Sequence, residues 1–160
     1  MSAFDKYLHT IIVHAGVEAQ KEGSATVEAQ HLLLAIAANS GSAAHRVLAG
    51  AGLDERAIRD ALEREFDHSL GAAGVSRAAF DLPPATPDLT RDPDMGASAK
   101  LALERGFASV PRKRDLRSGH LLLGILQAEV GTVPRALALA GIDRTALLAE
   151  VHQTLTNPTD

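Results

Sequence analysis

A chain of 160 residues, 46% hydrophobic and 22% charged, suits one globular domain, which at this size buries roughly 70% of its unfolded surface without help from a metal or disulfide. It has no cysteine, which excludes thiolate zinc sites, thiol nucleophiles, iron–sulfur clusters and a disulfide framework together. Sixteen basic against twenty acidic residues leave a net charge of −4, so bulk charge gives no drive toward non-specific nucleic-acid binding.

In chain order, the N-terminus MSAFDKYLHTIIVHAG lacks the basic-then-apolar layout of a signal peptide. Phe4, Leu8, Ile11, Ile12, Ala15 and Ala19 instead form one apolar stripe, which predicts a helix of about five turns. The longest apolar run, Leu32 to Ala38, is seven residues, far short of the ~20 that span a bilayer. A soluble, cytoplasmic protein without membrane contact is the expectation. Aromatic residues make up only 3% of the chain, so the core must be aliphatic, which favours closely packed helices.

The chain is organised by an internal repeat. Residues 31–62 and 120–151 align without gaps at an offset of 89, with twelve of 32 pairs identical. Both begin His-Leu-Leu-Leu, and both keep Arg46/Arg135, Leu48/Leu137, Gly52/Gly141 and Asp54/Asp143. The apolar runs suit helices buried on most sides. Gly52 and Gly141 stand where a helix should stop, and Asp54 and Asp143 stand at N-cap positions of the next. The lead-in of the second copy runs from Met95 to about Phe107. Between the copies, residues 67–94 hold Gly71, Gly74 and four prolines, which reads as a long extended connector. The predicted architecture is all-α: two tandem four-helix repeats (4–66 and 95–155) packed as a pseudo-twofold eight-helix bundle in a single domain, 1–160.

Few motifs carry chemistry. There is no G-x-x-x-x-G-K-[ST] loop, G-x-S-x-G elbow or H-E-x-x-H pair, so ATPase and hydrolase readings have no support, and Gly41-Ser42 and Gly131-Thr132 read as helix-start turns. Glu28-Ala29-Gln30-His31 and Glu65-Phe66-Asp67-His68 fit the E-x-x-H spacing of di-iron bundles, the basis of an alternative metal-binding reading. Against it, the duplicate of the first is Arg117-Ser118-Gly119-His120, with a cation where a ligand should be, and the helix of His68 reads as ending at Ser-Leu-Gly. His31 and His120 therefore read as packing residues whose ring nitrogens find hydrogen-bond partners. No cofactor is expected. The run Pro111-Arg112-Lys113-Arg114-Asp115-Leu116-Arg117 is the one concentrated basic patch, a solvated loop or a contact for an acidic partner; a nucleic-acid regulator is its second alternative, weakened by the absence of interleaved aromatics.

The duplicated His-Leu-Leu-Leu-[Ala/Gly]-Ile helix, followed each time by an Ala-Gly-[Leu/Ile]-Asp turn, closely resembles the N-terminal repeat domain of the ClpA, ClpB and ClpC unfoldases. The resemblance covers about residues 4–66 and 95–155. It implies a pseudo-twofold helical bundle that docks adaptors and substrates for an ATPase ring, and that in actinobacterial ClpC is the target of cyclic-peptide antibiotics. Since no ATPase sequence occurs among the 160 residues, the chain reads as a free-standing N-domain. ClpC-type domains that read phosphoarginine place a glutamate immediately before each repeat's histidine. Here those positions are Gln30 and Gly119, which cannot hold a guanidinium bidentately, and Arg117 further biases the second against a cation, although Glu28 leaves acidity near the first. The resemblance further implies a large apolar anchor at the start of each lead helix, matched by Phe4 and Met95; without it, both residues read as caps on the core. The expected function is a non-enzymatic binding module with partner-binding residues Phe4, Gln30, Met95, Arg117 and Gly119. Its expected partners are a Clp ATPase or its substrates and adaptors, or the cyclic peptides that target ClpC.

Overall fold

A computed structural model describes residues 1–76 and 86–157, which hold eight α-helices, four from each sequence copy. The first four are α1 (Ala3–Glu22), α2 (Ala29–Ala38), α3 (Ala43–Gly50) and α4 (Glu55–Ala72). The second four are α5 (Ala97–Ala108), α6 (Ser118–Leu126), α7 (Thr132–Leu139) and α8 (Arg144–Leu155). Two short strands, β1 (Thr26–Val27) and β2 (Asp94–Met95), pair in parallel with Thr26 opposite Asp94 and Val27 opposite Met95. Among the described residues no helix is long and apolar enough to cross a membrane.

Local chemistry sets most boundaries. Ser2 Oγ accepts from the Asp5 N–H at 3.0 Å while Asp5 Oδ2 accepts from the Ser2 N–H at 3.1 Å, a capping box that starts α1. Asp54 and Asp143 accept from the N–H groups of Ala57 (2.8 Å) and Ala146 (3.2 Å), as their sequence positions predict. Gly52 and Gly141 sit at φ 75° and 74°. The N–H of Leu53 reaches Leu48 O at 2.8 Å and that of Ile142 reaches Leu137 O at 2.9 Å, so both turns close as Schellman motifs.

The duplicated histidine is a structural device. His31 Nδ1 accepts from the Glu28 N–H, and His120 Nδ1 accepts from the Arg117 N–H, each at 2.9 Å. Each ring thus satisfies a backbone donor just outside its helix, which would otherwise be left without a partner. The leucines that follow are buried. Leu32, Leu33 and Ile36 on α2 and Leu121, Leu122 and Ile125 on α6 form the centre of one continuous core. Helices α5 and α6 approach closely at glycines: a Cβ on Gly124 would collide with the Ala102 carbonyl, and one on Gly106 would lie 2.7 Å from His120 O.

Two boundaries differ from the sequence reading. Helix α4 runs through His68 to Ala72, because Ser69 turns its hydroxyl back to Glu65 Oε1 (2.7 Å) and the helix closes only at Gly74, φ 78°, with Val75 N–H on Leu70 O. Helix α5 starts at Ala97, not Met95: the Gly96 N–H donates to Val27 O at 2.8 Å, which holds Met95 in the strand pair. The described end of the connector returns along the end of α1, where the Asp88 N–H donates to Gln20 O (2.8 Å) and Gln20 Nε2 to Arg91 O (2.6 Å). The stretch 77–85 lies outside the described residues.

Two buried carboxylates, each paired with an arginine that reaches the surface, tie helices together. Glu18 on α1, its side chain 1% exposed, receives both terminal nitrogens of Arg59 on α4 at 2.8 Å. Glu65 on α4 accepts from Arg135 Nε on α7 at 3.0 Å, a link between the two copies.

Candidate docking site between the copies

The E-x-x-H motifs do not converge on a shared centre. His31 Nδ1 is an acceptor, so the ring proton sits on Nε2 and donates to Glu22 Oε2 at 2.6 Å. The Glu28 carboxylate turns the other way, accepting from Thr26 Oγ1 (2.9 Å), Ser98 Oγ (2.9 Å) and the Ser98 N–H (3.3 Å) at the start of α5. Glu65 is engaged by Arg135 and Ser69 rather than facing an open position beside His68. Among the described residues no three His, Asp or Glu side chains gather as metal ligands would. The basic run folds into a 3₁₀ turn (Lys113–Asp115) at the surface, with Arg112 on Asp115 at 2.9 Å, Lys113 on Asp5 at 3.3 Å and Arg114 exposed.

A cavity of about 360 Å³ opens where the two copies meet at the start of α1. Ala3, Phe4 and Tyr7 form one wall, the Asn39–Ser42 turn between α2 and α3 a second, and Leu116, Arg117 and Ser118 at the start of α6 the third. Leu116 is buried, so the floor is apolar. The Ser42 hydroxyl accepts from the His45 N–H at 3.0 Å and Ser118 Oγ from the Ala44 N–H at 3.2 Å, which fixes α3 against α6 and sets the width of the cavity. Phe4 meets Phe107 edge to face, centroids 6.4 Å apart and rings at 81°; Phe107 is 40% exposed and continues the apolar rim outward. Arg117 is the charged residue of the lining, and its guanidinium donates to the carbonyls of Leu155 and Asn157 at the end of α8. The described lining holds no carboxylate and no imidazole. Such a site can enclose apolar side chains and pair with peptide groups; it offers no nucleophile with a neighbouring base.

Nearby, Asp5 sits below the usual carboxylate range, held down chiefly by the hydroxyl and backbone N–H of Ser2 and further by Lys113.

Of the five residues singled out from sequence, Phe4 and Arg117 line this cavity. Met95 lies half-buried in the strand pair, packed on the core. Gln30 is half-buried on α2 and outside the lining. Gly119 is buried on α6, where a Cβ would stand 2.7 Å from the Leu155 side chain. The structure therefore brings two of the five together. Tyr7, the Asn39–Ser42 turn, Leu116 and Ser118 belong to the same surface but were not marked in the sequence. A Ser-Gly-Ser turn between predicted helices was the only local signal.

The comparisons agree with this architecture. Residues 3–91, more than half of the chain, match the family of the Clp repeat (R) N-terminal domain. The N-terminal domain of the caseinolytic protease associated chaperone ClpD from Arabidopsis thaliana is similar in fold, at TM-score 0.63 and 21% identity over 93% of this chain and 92% of that one. A structure from a malarial protein secretion system is similar at TM-score 0.59 and 14% identity, over 92% and 91%. No curated protein sequence matches the chain. Duplicated caps, paired central helices and the matched residues lead to one conclusion: the chain belongs to the Clp repeat N-terminal domain family.

Proposed function

We propose that the protein is a non-catalytic docking module that takes an apolar side chain of a partner polypeptide or peptide macrocycle into the cavity beside Phe4. The observation that carries this reading is the cavity itself, with an apolar floor, an aromatic rim extended by Phe107 and its one cation already engaged. Clp N-domains are protein-interaction modules, and the reading keeps that role. Two roles fit such a surface. An adaptor would contact a Clp ATPase or its substrates; a decoy would sequester cyclic peptides that target ClpC. Co-purification with a Clp ATPase at stoichiometric levels favours the adaptor. Tight macrocycle binding without ATPase contact favours the decoy.

Parallel pull-downs test the site, using the intact chain, Phe4→Ala and Met95→Ala, each checked for an unchanged helical spectrum. Partners lost with Phe4→Ala and kept with Met95→Ala support the cavity. Equal recovery by all three shows that docking occurs elsewhere on the molecule.

A further inference from the structure

The two copies differ at the turn that leads into the third wall of the Phe4 cavity. Subtracting the offset of 89 sets Arg112-Lys113-Arg114-Asp115 against Gly23-Ser24-Ala25-Thr26, so three cations and one acid stand where the first copy is uncharged. The Lys113 ammonium lies 3.3 Å from Asp5, which places this turn against the start of α1, one residue from Phe4. Asp115 and Asp5 offset Arg112 and Lys113. Arg114 is exposed, and among the described residues no carboxylate lies within ion-pair distance of it. The same holds for Arg117, whose guanidinium is engaged by carbonyls alone. A chain of net charge −4 thus carries positive charge beside its apolar cavity.

The backbone differs as well. In the first copy Val27, the counterpart of Leu116, is covered by β2: Met95 pairs with it, and the Gly96 N–H donates to its carbonyl at 2.8 Å. The counterparts of Asp94 and Met95 are Asp5 and Lys6, which the Ser2 capping box draws into α1. No strand therefore runs along Leu116. Leu116 and Arg117 are extended, at ψ 136° and 171°. Leu116 is 7% exposed, yet among the described residues no donor reaches its carbonyl. An acceptor left in this way favours a ligand that brings an N–H.

We propose that an extended segment of a partner protein, with one large apolar residue between acidic ones, docks along this wall of the cavity. The proposal rests on the docking reading above and names the chemistry of the occupant. The apolar side chain enters over Leu116 beside Phe4, and the N–H of the following residue donates to the Leu116 carbonyl, as that of Gly96 does to Val27. The acidic side chains meet Arg114 and its neighbours. Main-chain pairing supplies affinity and the side chains supply selection, as in strand addition to a sheet edge. The positive charge attracts acidic segments and turns basic ones away.

The probe is the end-capped peptide Asp-Asp-Met-Asp-Asp, titrated to millimolar concentration while the amide chemical shifts of the intact protein are followed. The expected result is perturbation of Phe4, Tyr7, Ser40, Leu116 and Ser118, with binding that weakens as salt is added. Affinity should fall by about tenfold or more when Ser replaces the Met of the peptide, or Lys its Asp residues. Methylating the amide after the Met, or placing Arg114→Glu in the protein, should do the same. Shifts confined to residues 112–114 and indifferent to the Met reveal a bare charge contact and overturn the proposal. A Lys peptide that binds as tightly and is lost with Phe4→Ala overturns the acidic occupant but keeps the docking cavity. No shift at the cavity also overturns the proposal, and the pull-downs with Phe4→Ala then decide the docking reading separately.

Discussion

Glu18 shows how a single side chain makes this fold depend on pH. Its burial alone would raise the carboxyl, but hydrogen bonds and charge from Arg59, joined by Lys21 and His14, outweigh that and hold it below its ordinary value. Arg59 is correspondingly held well above its own. The folded state therefore keeps Glu18 ionised more readily than the unfolded chain does. Its contribution is fully present above the unfolded value of about 4.3 and is lost as pH falls through the lower folded value. Thermal melts taken from about pH 6 to about pH 3 should show a falling midpoint, and Glu18→Gln should flatten the acid limb while lowering stability near neutrality. Identical acid limbs would remove Glu18 from the account. His31 makes a related case through its backbone hydrogen bond. Replacing it by Leu leaves the Glu28 N–H without its acceptor, and chemical denaturation should register a loss of about 1–3 kcal/mol. The packing role of both histidines was legible in the sequence because the motif recurs; the backbone donor each one satisfies was not, since that depends on where the chain enters the helix.

At the scale of elements, what could be read in advance was what is decided locally. Asp54, Asp143, Gly52 and Gly141 act through neighbours three to five residues away, so a window of sequence contains the whole interaction. Helix α4 runs one residue beyond the Ser69-Leu70-Gly71 stop, and the Ser69 hydroxyl turns back to Glu65. The start of α5 depends on Val27, almost seventy residues away, and no local pattern carries that. Glycines separate the two cases sharply. Gly16, within α1, has nothing within 4 Å of where a Cβ would point, so Gly16→Ala should stabilise by about 0.5–1 kcal/mol through helix propensity alone. Gly124→Ala forces a methyl into the Ala102 carbonyl and pushes α5 away from α6. We expect it to cost at least as much as an overpacked core, about 1–3 kcal/mol. Denaturation midpoints of the two variants should move in opposite directions. A neutral Gly124→Ala would mean that the two helices tolerate separation.

Over the whole molecule, the candidate site was the least legible feature, because its walls come from segments near residues 4, 40 and 117 that only the folded repeat brings together. Phe4 and Arg117 were within reach of a family resemblance; Tyr7 and Leu116 needed coordinates. The same interdependence governs folding. Leu33 and Ile36 share one core with Leu121 and Ile125, the Ala29 N–H donates to Ser98 Oγ at 2.8 Å, and Glu65 pairs with Arg135, so each copy satisfies polar groups and buries apolar surface of the other. A lone copy of some seventy residues would bury only about 60% of its unfolded surface and would expose the inner faces of its central helix. The intact chain should therefore melt in one transition, with calorimetric and van't Hoff enthalpies equal, whereas a fragment of residues 1–76 should lack a cooperative transition. A fragment that melts cooperatively, or two resolved transitions in the intact chain, would make the copies separate domains. The cavity beside Phe4 would then sit on a movable interface rather than on a fixed wall.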